Sequence, residues 1–324
     1  MYKKIVLLLC FLIAISCSSP SSPNSGSDGD IVNGGGSGSD GGNSGSGGDS
    51  GNTGDGGSTD IPWTEIAPPL PVLDEEAIKY GIDISQEDTE ISKQIEEKLQ
   101  AYYSDKQSYK VIFTGTPKAE YMQKNSLTKL VIEVAERLYK FKSINIEIDI
   151  SNIYFNERKI KYKMFQGYSG SGYYTITFKF PENIIRIIER NAFYLINNFL
   201  KEITIPDSVI GIGAAAFQTD YKLEKVTFGA DSKLEYIGDY AFSYCPISEI
   251  TIPASVNYLG TKPFGDSITT VTYLGTKPDA IKHNGDVFKG YTSIQTLILP
   301  NVQNPNYDEW KNFLGGNFTT VKQR

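Results

Sequence analysis

The residues that most often carry out catalysis are scarce in this chain. It contains one histidine, His283, and three cysteines among its 324 residues. A Ser-His-Asp or Cys-His catalytic group would depend on His283 alone, and an HExxH zinc site needs two histidines on one helical face. His283 lies in Lys282-His-Asn-Gly285, a stretch typical of a turn. We therefore expect a solvated histidine, no metal site and no cofactor.

Glu147 and Asp149 are the best remaining candidates for catalysis. They occupy alternate positions of the apolar stretch Ile144–Ile150, so a β-strand would place both carboxylates on one face. Two carboxylates could serve a glycosidase, but this pattern is also typical of the solvated face of a strand. Phosphate-binding loops are not indicated, because Thr114-Gly-Thr-Pro117 lacks the lysine and no helix is expected after the glycines of 167–172. The interpretation is that the chain is not an enzyme.

The first seventeen residues are typical of an export signal. Met1-Tyr-Lys-Lys4 is basic, and the apolar run Ile5–Ile15 is too short to span a bilayer. Ala14-Ile-Ser-Cys17 follows and resembles the bacterial lipobox, whose cysteine receives diacylglycerol and becomes the mature N-terminus. We predict a lipoprotein signal peptide over 1–17, lipidation of Cys17 and anchoring in the bacterial cell envelope, at the outer membrane with the folded part exposed. The alternative is an ordinary cleaved signal with an incidental cysteine.

Cys245 is then the one cysteine that neither leaves with the signal nor carries lipid. No disulfide can form within such a mature chain, although the compartment would permit one. Cys245 stands in Tyr244-Cys-Pro246 inside a repeat, which favours a small buried apolar residue over a reactive thiol.

Residues 18–60 have the composition of a disordered tether. They hold 15 of the 31 glycines, with six aspartates and no lysine or arginine. Such a segment cannot bury a core, and random-coil scaling gives it a reach of roughly 35–40 Å. Gly35-Gly-Ser-Gly-Ser-Asp40 matches part of a calcium-binding nonapeptide, but it does not recur, so we interpret it as spacer. The net charge of −7 resides mostly in this tether, so it does not identify the ligand of the folded part. The chain lacks the net basic charge on which nucleic-acid binding draws, which argues against a nucleic-acid partner.

One phrase recurs from about Phe178 onward. Ile203-Thr-Ile-Pro-Asp-Ser-Val209 leads to Ala216-Phe217, and Ile250-Thr-Ile-Pro-Ala-Ser-Val256 leads to Pro263-Phe264. The recurring phenylalanines, at 193, 217, 242, 264 and 288, are spaced by 22 to 25 residues. A period in the twenties with an apolar-x-apolar strand predicts a leucine-rich-repeat solenoid. The apolar strand positions and the phenylalanines would share its core.

The phrase from Leu200 to Phe217 resembles the BspA-type leucine-rich repeat of bacterial surface proteins. Residues 95–165 look like the N-terminal segment of spirochaete, especially treponemal, members of that family. Their sequence predicts a strand (Tyr109–Gly115), a helix (Ser126–Tyr139) and a strand (Ile144–Ile150). The resemblance implies a non-enzymatic protein that adheres to host extracellular-matrix proteins or to other bacteria.

The predicted fold class is an α/β-containing repeat protein, a leucine-rich-repeat solenoid with an N-terminal strand-helix-strand cap, preceded by a disordered tether. The predicted segments are the signal peptide (1–17), the tether (18–60), a linker and helical lead-in (61–94), the N-terminal cap (95–165), the repeats (166–300) and a C-terminal cap (301–324). The helical lead-in rests on Ile91, Ile95, Leu99 and Tyr102, and the C-terminal cap on Trp310, Phe313 and Phe318. The prolines of 68–71 indicate a stiff continuation of the tether.

Outward-facing strand positions are the candidate binding residues. Alternation predicts one row of Lys179, Thr204, Thr227, Thr251 and Thr272, beside a row with Glu202, Lys225 and Glu249 in cross-strand contact. The hypothesis is a surface-tethered module that binds a protein through this polar, near-neutral face. A merely soluble sheet face is the simpler interpretation. The alternative functions are a periplasm-facing structural envelope lipoprotein and a carbohydrate-binding or hydrolytic lipoprotein.

Overall fold

The computed structural model describes residues 66–140, 142–168, 173–197, 199–285 and 287–324. The predicted signal peptide with Cys17, the tether and the Gly35–Asp40 stretch lie outside the described residues. The helices are α1 (Glu75–Tyr80), α2 (Asp88–Lys106), α3 (Leu127–Leu138) and α4 (Tyr307–Trp310). The strands are β1 (Gly81–Asp83), β2 (Tyr109–Gly115), β3 (Ile144–Ile153), β4 (Lys159–Ile160), β5 (Tyr174–Lys179), β6 (Ile187–Ile188), β7 (Glu202–Ile205), β8 (Gly211–Ile212), β9 (Lys225–Phe228), β10 (Tyr236–Ile237), β11 (Glu249–Ile252), β12 (Tyr258–Leu259), β13 (Thr270–Tyr273), β14 (Lys282–His283), β15 (Thr296–Ile298) and β16 (Thr320–Lys322).

The N-terminal part is a parallel sheet with α2 and α3 packed on its core side and α1 on its other side. The strand order is β1-β2-β3-β5, so β2, α3 and β3 form the predicted strand-helix-strand unit. Helix α3 begins after Ser126, whose hydroxyl accepts a hydrogen bond from the backbone N–H of Lys129 at 3.4 Å. The helix buries Leu127, Leu130, Val131, Val134 and Ala135 along one side. Helix α2 buries the four residues of the predicted lead-in, although it extends beyond residue 94.

Each later turn of the chain repeats one unit. A strand is followed by a two-residue strand on the other side of the core and then by a buried phenylalanine. The two-residue strands form their own parallel sheet in the order β14-β12-β10-β8-β6-β4. The strands of the first side form the pair β7-β9 and the sheet β11-β13-β15-β16. This is the leucine-rich-repeat solenoid that the sequence predicted.

A stack of phenylalanine rings runs through the core of the repeats. The ring of Phe217 lies 4.8 Å from that of Phe193 and 5.0 Å from that of Phe242, centroid to centroid, and both pairs are nearly parallel. Phe264 and Phe288 continue the stack at 6.2 and 5.8 Å. Each of these side chains is almost fully buried, and each turn therefore depends on its neighbours for burial.

The repeating turns begin earlier than the boundary at residue 166 that the sequence suggested. Strand β4 pairs with β6, and the ring of Phe165 stacks on that of Phe193 at 5.4 Å. The turn that starts with β3 is therefore already a repeat. Its sequence hides this because Met164 replaces the alanine and Phe165 precedes Phe193 by 28 residues rather than about 24.

Both ends of the solenoid core are covered. At the C-terminal end, the predicted cap residues Trp310, Phe313 and Phe318 are buried, and the ring of Phe313 stacks on that of Tyr273 at 4.9 Å. At the N-terminal end, Ile91, Ile95 and Leu99 of α2 are buried in the main core. The prolines of 68–71 lie beside the end of β3, residues 154–155 and the loop 180–184, with which they line a groove of about 390 Å³. The proline run, expected to continue the tether, therefore borders the folded part.

Candidate binding face

Strand alternation separates core residues from surface residues in the repeats. In β7, Ile203 and Ile205 are buried, whereas Glu202 and Thr204 are exposed. Strand β11 repeats the pattern with the same Glu-Ile-Thr-Ile sequence. The same alternation brings the eight predicted residues, Lys179, Thr204, Thr227, Thr251, Thr272, Glu202, Lys225 and Glu249, to one side of the long strands, where each is exposed or half-buried. We call this surface the strand face.

Backbone register sets the neighbours on the strand face. Glu202 lies opposite Lys225, as predicted, and Thr204 lies opposite Thr227. In the sheet β11-β13-β15-β16, Thr251 lies opposite Thr272. Glu249 lies opposite a threonine of β13, and threonines of β15 and β16 follow in the same row. The rows are therefore rich in hydroxyls and carry few charges.

The rows are not continuous, which differs from the prediction. Lys225 and Glu249 belong to different sheets, so they are not paired residues of one ladder. Between β5 and β7 a single bridge joins Ile176 to Leu200, and Lys179 does not continue in register to Thr204. The pairing of β9 with β7 is extended by the Glu224 N–H, which donates to the Lys201 carbonyl at 2.9 Å. The strand face therefore consists of three polar patches: an N-terminal patch on the sheet β1-β2-β3-β5, a central patch on β7 and β9, and a C-terminal patch on β11, β13, β15 and β16.

The N-terminal patch carries a charge network that the sequence did not reveal. The Lys110 ammonium lies 3.2 Å from a carboxylate oxygen of each of Glu76, Glu147 and Asp149. The Lys179 ammonium is 2.9 Å from the same Asp149 oxygen, Oδ2. The place of Lys110 beside Glu147 could have been predicted from strand alternation. Lys110 precedes the core residue Val111 in β2, just as Glu147 precedes the core residue Ile148 in β3. The pairing with Glu76 brings together residues 34 positions apart and has no local signal.

The surroundings of Asp149 favour its ionised carboxylate and disfavour a role in proton transfer. Its side chain is 2% exposed. Burial raises the pKa of the carboxyl, but hydrogen bonds from Ser151 and Lys179, with the Lys179 charge, outweigh it and leave the pKa below the usual value. For the Lys110 ammonium, burial lowers the pKa, but the Glu76 hydrogen bond and the Asp149 charge outweigh it and hold the pKa above the usual range. A general acid needs a raised carboxyl pKa, so the glycosidase alternative gains no support from Asp149.

The other chemistry-bearing residues are placed as follows. His283 lies in the exposed edge strand β14, and its Nδ1 accepts a hydrogen bond from the Gly285 N–H at 3.0 Å. Cys245 is a free, buried thiol whose Sγ donates to the Phe217 carbonyl at 3.1 Å. Burial and the nearby Asp220 raise the pKa of the Cys245 thiol, which disfavours the reactive thiolate.

Asp220 is a buried carboxyl that sequence reasoning missed. Its Oδ1 accepts hydrogen bonds from the backbone N–H groups of Ile196, at 2.6 Å, and Asn197, at 3.3 Å, in the preceding repeat. Within the described residues, its Oδ2 is buried without a hydrogen-bond partner. Burial raises the pKa of Asp220 well above its usual value in spite of the two backbone donors. Asp220 therefore joins two repeats rather than facing a ligand.

The described residues contain neither a metal cluster nor a membrane helix. No group of three or more His, Cys, Asp or Glu side chains suited to a metal ion occurs among them. None of the helices in the described ranges is long and apolar enough to cross a membrane.

Comparison with known proteins identifies the repeats. Residues 138–271 match the BspA type leucine rich repeat region, in six copies. This match includes the early turn at β3 and β4. No curated protein matches the chain.

Three solved structures are similar to this chain. The pneumococcal vaccine antigen PcpA is 22% identical, with a TM-score of 0.36 over 55% of this chain and 58% of that one. A leucine rich cell surface protein from Faecalibacterium prausnitzii A2-165 is 14% identical, with a TM-score of 0.30 over 66% of this chain and 67% of its own. A leucine-rich repeat protein from Bacteroides ovatus ATCC 8483 is 18% identical, with a TM-score of 0.22 over 54% of this chain and 60% of its own. The chain therefore spans less than two thirds of the PcpA chain.

Proposed function

We propose that this chain, whose residues 138–271 form a BspA type leucine rich repeat region, is a lipid-anchored cell-surface protein that binds a protein ligand through the strand face. The ligand class is host extracellular-matrix protein or the surface protein of another bacterium. Protein binding requires no catalytic residue. The ion-pair network of Asp149 agrees with this, because it gives that carboxylate a structural role. The proposal makes the chain a non-enzymatic adhesion protein.

The observation that carries this proposal is the combination of a stacked core with a polar, exposed strand face. The exposed Thr204 and Thr251 are each flanked along the strand by two isoleucines that are buried in the core. Short β-branched threonines lose little side-chain entropy when they are covered. A surface of this kind supports extended contact with a macromolecule, and solenoids use such surfaces in this way.

The anchoring half of the proposal rests on the sequence alone. Cys17 would carry the lipid, 18–60 would be the tether, and 61–94 would lead into the folded part. Together they would hold the strand face away from the lipid headgroups. The similar structure from Faecalibacterium prausnitzii is that of a cell surface protein, the same location as the one proposed here for this chain.

Binding is tested with the full chain in which Cys17→Ala prevents lipidation. We expect saturable binding to at least one of collagen, fibronectin and laminin on a sensor surface, or to intact cells of neighbouring bacterial species. The triple variant Glu202→Ala/Thr204→Ala/Lys225→Ala should weaken that binding at least tenfold. The matched control is Lys282→Ala/His283→Ala, which alters exposed residues of the opposite sheet and should leave the affinity unchanged. Binding to none of these ligands, or equal loss in both variants, would overturn the proposed role of the strand face.

The location is tested separately in the native cells. The unaltered chain should incorporate labelled palmitate and the Cys17→Ala variant should not. Protease added to intact cells should remove the folded part if it faces outward. Survival of the labelled chain under protease would favour the periplasm-facing structural alternative instead.

A further inference from the structure

A run of cationic residues lies on the side of the solenoid that is opposite the strand face. Residues 157–163 read Glu-Arg-Lys-Ile-Lys-Tyr-Lys, with four lysines and arginines in the last six positions. The run contains β4, the first of the two-residue strands, where Ile160 is buried and Lys159 is half-buried. Short runs rich in lysine and arginine are typical of sites that bind polyanions such as nucleic acid or heparin.

The next turn of the chain places two arginines beside this run. The Arg186 N–H donates to the Arg158 carbonyl at 2.8 Å, so these two residues begin adjacent turns. The Arg190 guanidinium lies 4.8 Å from the centre of the Tyr162 ring, and the Lys163 ammonium lies at the same distance from it. We define the basic strip as Arg158, Lys159, Lys161, Tyr162, Lys163, Arg186 and Arg190.

The basic strip carries more positive charge than the carboxylates beside it can match. The Lys161 ammonium lies 2.8 Å from Glu157, and the Lys159 ammonium lies 3.8 Å from Glu189. The two cations over the Tyr162 ring differ, because within the part of the chain that the structure describes no carboxylate lies at ion-pair distance from either of them. The ring itself carries no charge that could neutralise them.

The later turns show that the repeat does not need these charges. The strand position that begins with Lys159 in β4 is occupied along the sheet by Ile187, Gly211, Tyr236, Tyr258 and Lys282. The position two residues before the stacked phenylalanine is Lys163 in the first turn and Asn191, Ala215 and Tyr240 in the next three. Grouped like charges repel one another and oppose folding. Their concentration in two adjacent turns therefore favours a binding role over a structural one.

The shape of the basic strip favours a single linear polymer as its ligand. An extended chain over 158–163 covers roughly 16 Å, and the adjacent turn adds a width of about 5 Å. A single-stranded nucleic acid would need open aromatic rings on which its bases stack, whereas two cations already lie over the half-buried Tyr162 ring. A membrane surface would be met by exposed apolar side chains, and residues 157–163 and 186–190 expose no large apolar residue.

We infer that the basic strip binds a linear sulfated polysaccharide, whose sulfate oxygens accept hydrogen bonds from the lysine and arginine side chains. Charge-assisted hydrogen bonds of this kind are stronger than those between neutral groups. The inference goes beyond the proposed function, because the ligand is a carbohydrate and the site is separated from the strand face by the core. The chain can therefore hold a protein on one side and a polysaccharide on the other at the same time.

The test titrates a heparin dodecasaccharide into the full chain with Cys17→Ala. We expect saturable binding that weakens as the salt concentration rises, because the contacts are between exposed charges. The triple variant Lys159→Gln/Lys163→Gln/Arg190→Gln should bind heparin at least tenfold more weakly. The double variant Lys163→Gln/Arg190→Gln breaks no ion pair and should still weaken binding at least threefold. Far-ultraviolet circular dichroism and urea titration establish that both variants are folded.

The matched control removes the same charge from another part of the solenoid. Lys262→Gln/Lys277→Gln/Lys282→Gln alters three exposed lysines of later turns, and Lys282 holds the strand position in β14 that Lys159 holds in β4. We expect this control variant to keep its affinity for heparin within twofold. Equal weakening in the control and in the variants of the basic strip would show attraction by net charge alone and would overturn the inference.

Two further probes identify the kind of polymer. Hyaluronan, which carries carboxylates without sulfate, should bind at least tenfold more weakly than heparin, and so should a short DNA duplex of equal charge. Absence of saturable heparin binding, or tighter binding of the duplex than of heparin, would refute a polysaccharide site. No matrix protein enters this assay, so its outcome is independent of the test of the strand face.

Discussion

The N-terminal patch of the strand face and its central patch use equivalent strand positions in different ways. In β3 and β5, Asp149 and Lys179 lie opposite each other and are bound into a network with Lys110. In β7 and β9, Glu202 and Lys225 also lie opposite each other, yet both are exposed. Within the described residues, no ion pair joins Glu202 or Lys225 to another side chain. Register alone therefore does not decide whether a charged pair belongs to the structure.

The cover above the strands makes the difference. Helix α1 brings Glu76 onto Lys110, whose side chain is 13% exposed and also contacts the buried Asp149, so the charges of these shielded groups are matched by partners. Nothing among the described residues covers Glu202, and its charge is solvated. The N-terminal patch is thus held by its charges, the central repeats are held by the core beneath them, and the central charges remain available to a ligand.

The largest expected effect is on the core that supports the central patch. Phe217→Ala or Phe242→Ala should lower the free energy of unfolding by about 3–5 kcal/mol, because each removes a fully buried ring from the stack. A urea titration followed by far-ultraviolet circular dichroism measures this. The matched control is Tyr244→Ala, whose side chain is 64% exposed and whose loss should cost within about 0.5 kcal/mol. A cost below about 1 kcal/mol for both phenylalanines would contradict the dependence of the repeats on their ring stack.

The next effect concerns the N-terminal patch. Asp149→Ala should cost about 2–3 kcal/mol, because Lys110 loses one partner in a buried network and Lys179 loses the carboxylate that it contacts. The pKa of Asp149 is lower in the folded chain than in the unfolded one, so its contribution is fully present above the unfolded pKa of about 4. It is lost as the pH falls through the folded pKa. The stability difference between the two chains should therefore shrink below pH 4, and a constant difference down to pH 2 would refute the ionised network.

Asp220 should show the opposite dependence on pH. Its pKa is raised in the folded chain, so the stability that its neutral form provides is present below the unfolded pKa of about 4 and declines as the pH rises toward the folded pKa. Asp220→Asn keeps an oxygen for the Ile196 and Asn197 amides but cannot ionise. We expect this variant to be more stable than the unaltered chain by on the order of 1 kcal/mol at pH 8, and to lose that advantage at pH 4. Thermal unfolding at the two pH values measures it, and an advantage that grows on acidification would show that Asp220 is ionised.

These three cases also show what a sequence can and cannot predict. The phenylalanine stack follows from a period of about 24 residues, and the exposed threonines follow from strand alternation, since both are local patterns that recur. The early repeat that contains Phe165 was not predicted, because the distance from Phe165 to Phe193 departs from that period. The contact of Glu76 with Lys110 and the position of Asp220 beneath the Ile196 amide depend on how distant segments meet, and no local pattern encodes them. The binding role of the central patch stays a prediction.

The smallest expected effect on stability comes from the charged residues of the central patch. Glu202 and Lys225 lie opposite each other in register, and an exposed pair of this kind contributes roughly 0.2–1 kcal/mol at most. Glu202→Ala and Lys225→Ala should each change the free energy of unfolding by no more than about 0.5 kcal/mol, and a double-mutant cycle should give a coupling below about 0.5 kcal/mol. Urea titrations of the four chains in 0.15 M salt provide the measurement. A coupling above about 1 kcal/mol would mean that these charges stabilise the fold as those around Asp149 do, and a ligand would then have to break the pair before binding. A negligible coupling leaves both charged groups free to contact a ligand at little cost, as the proposed binding role requires.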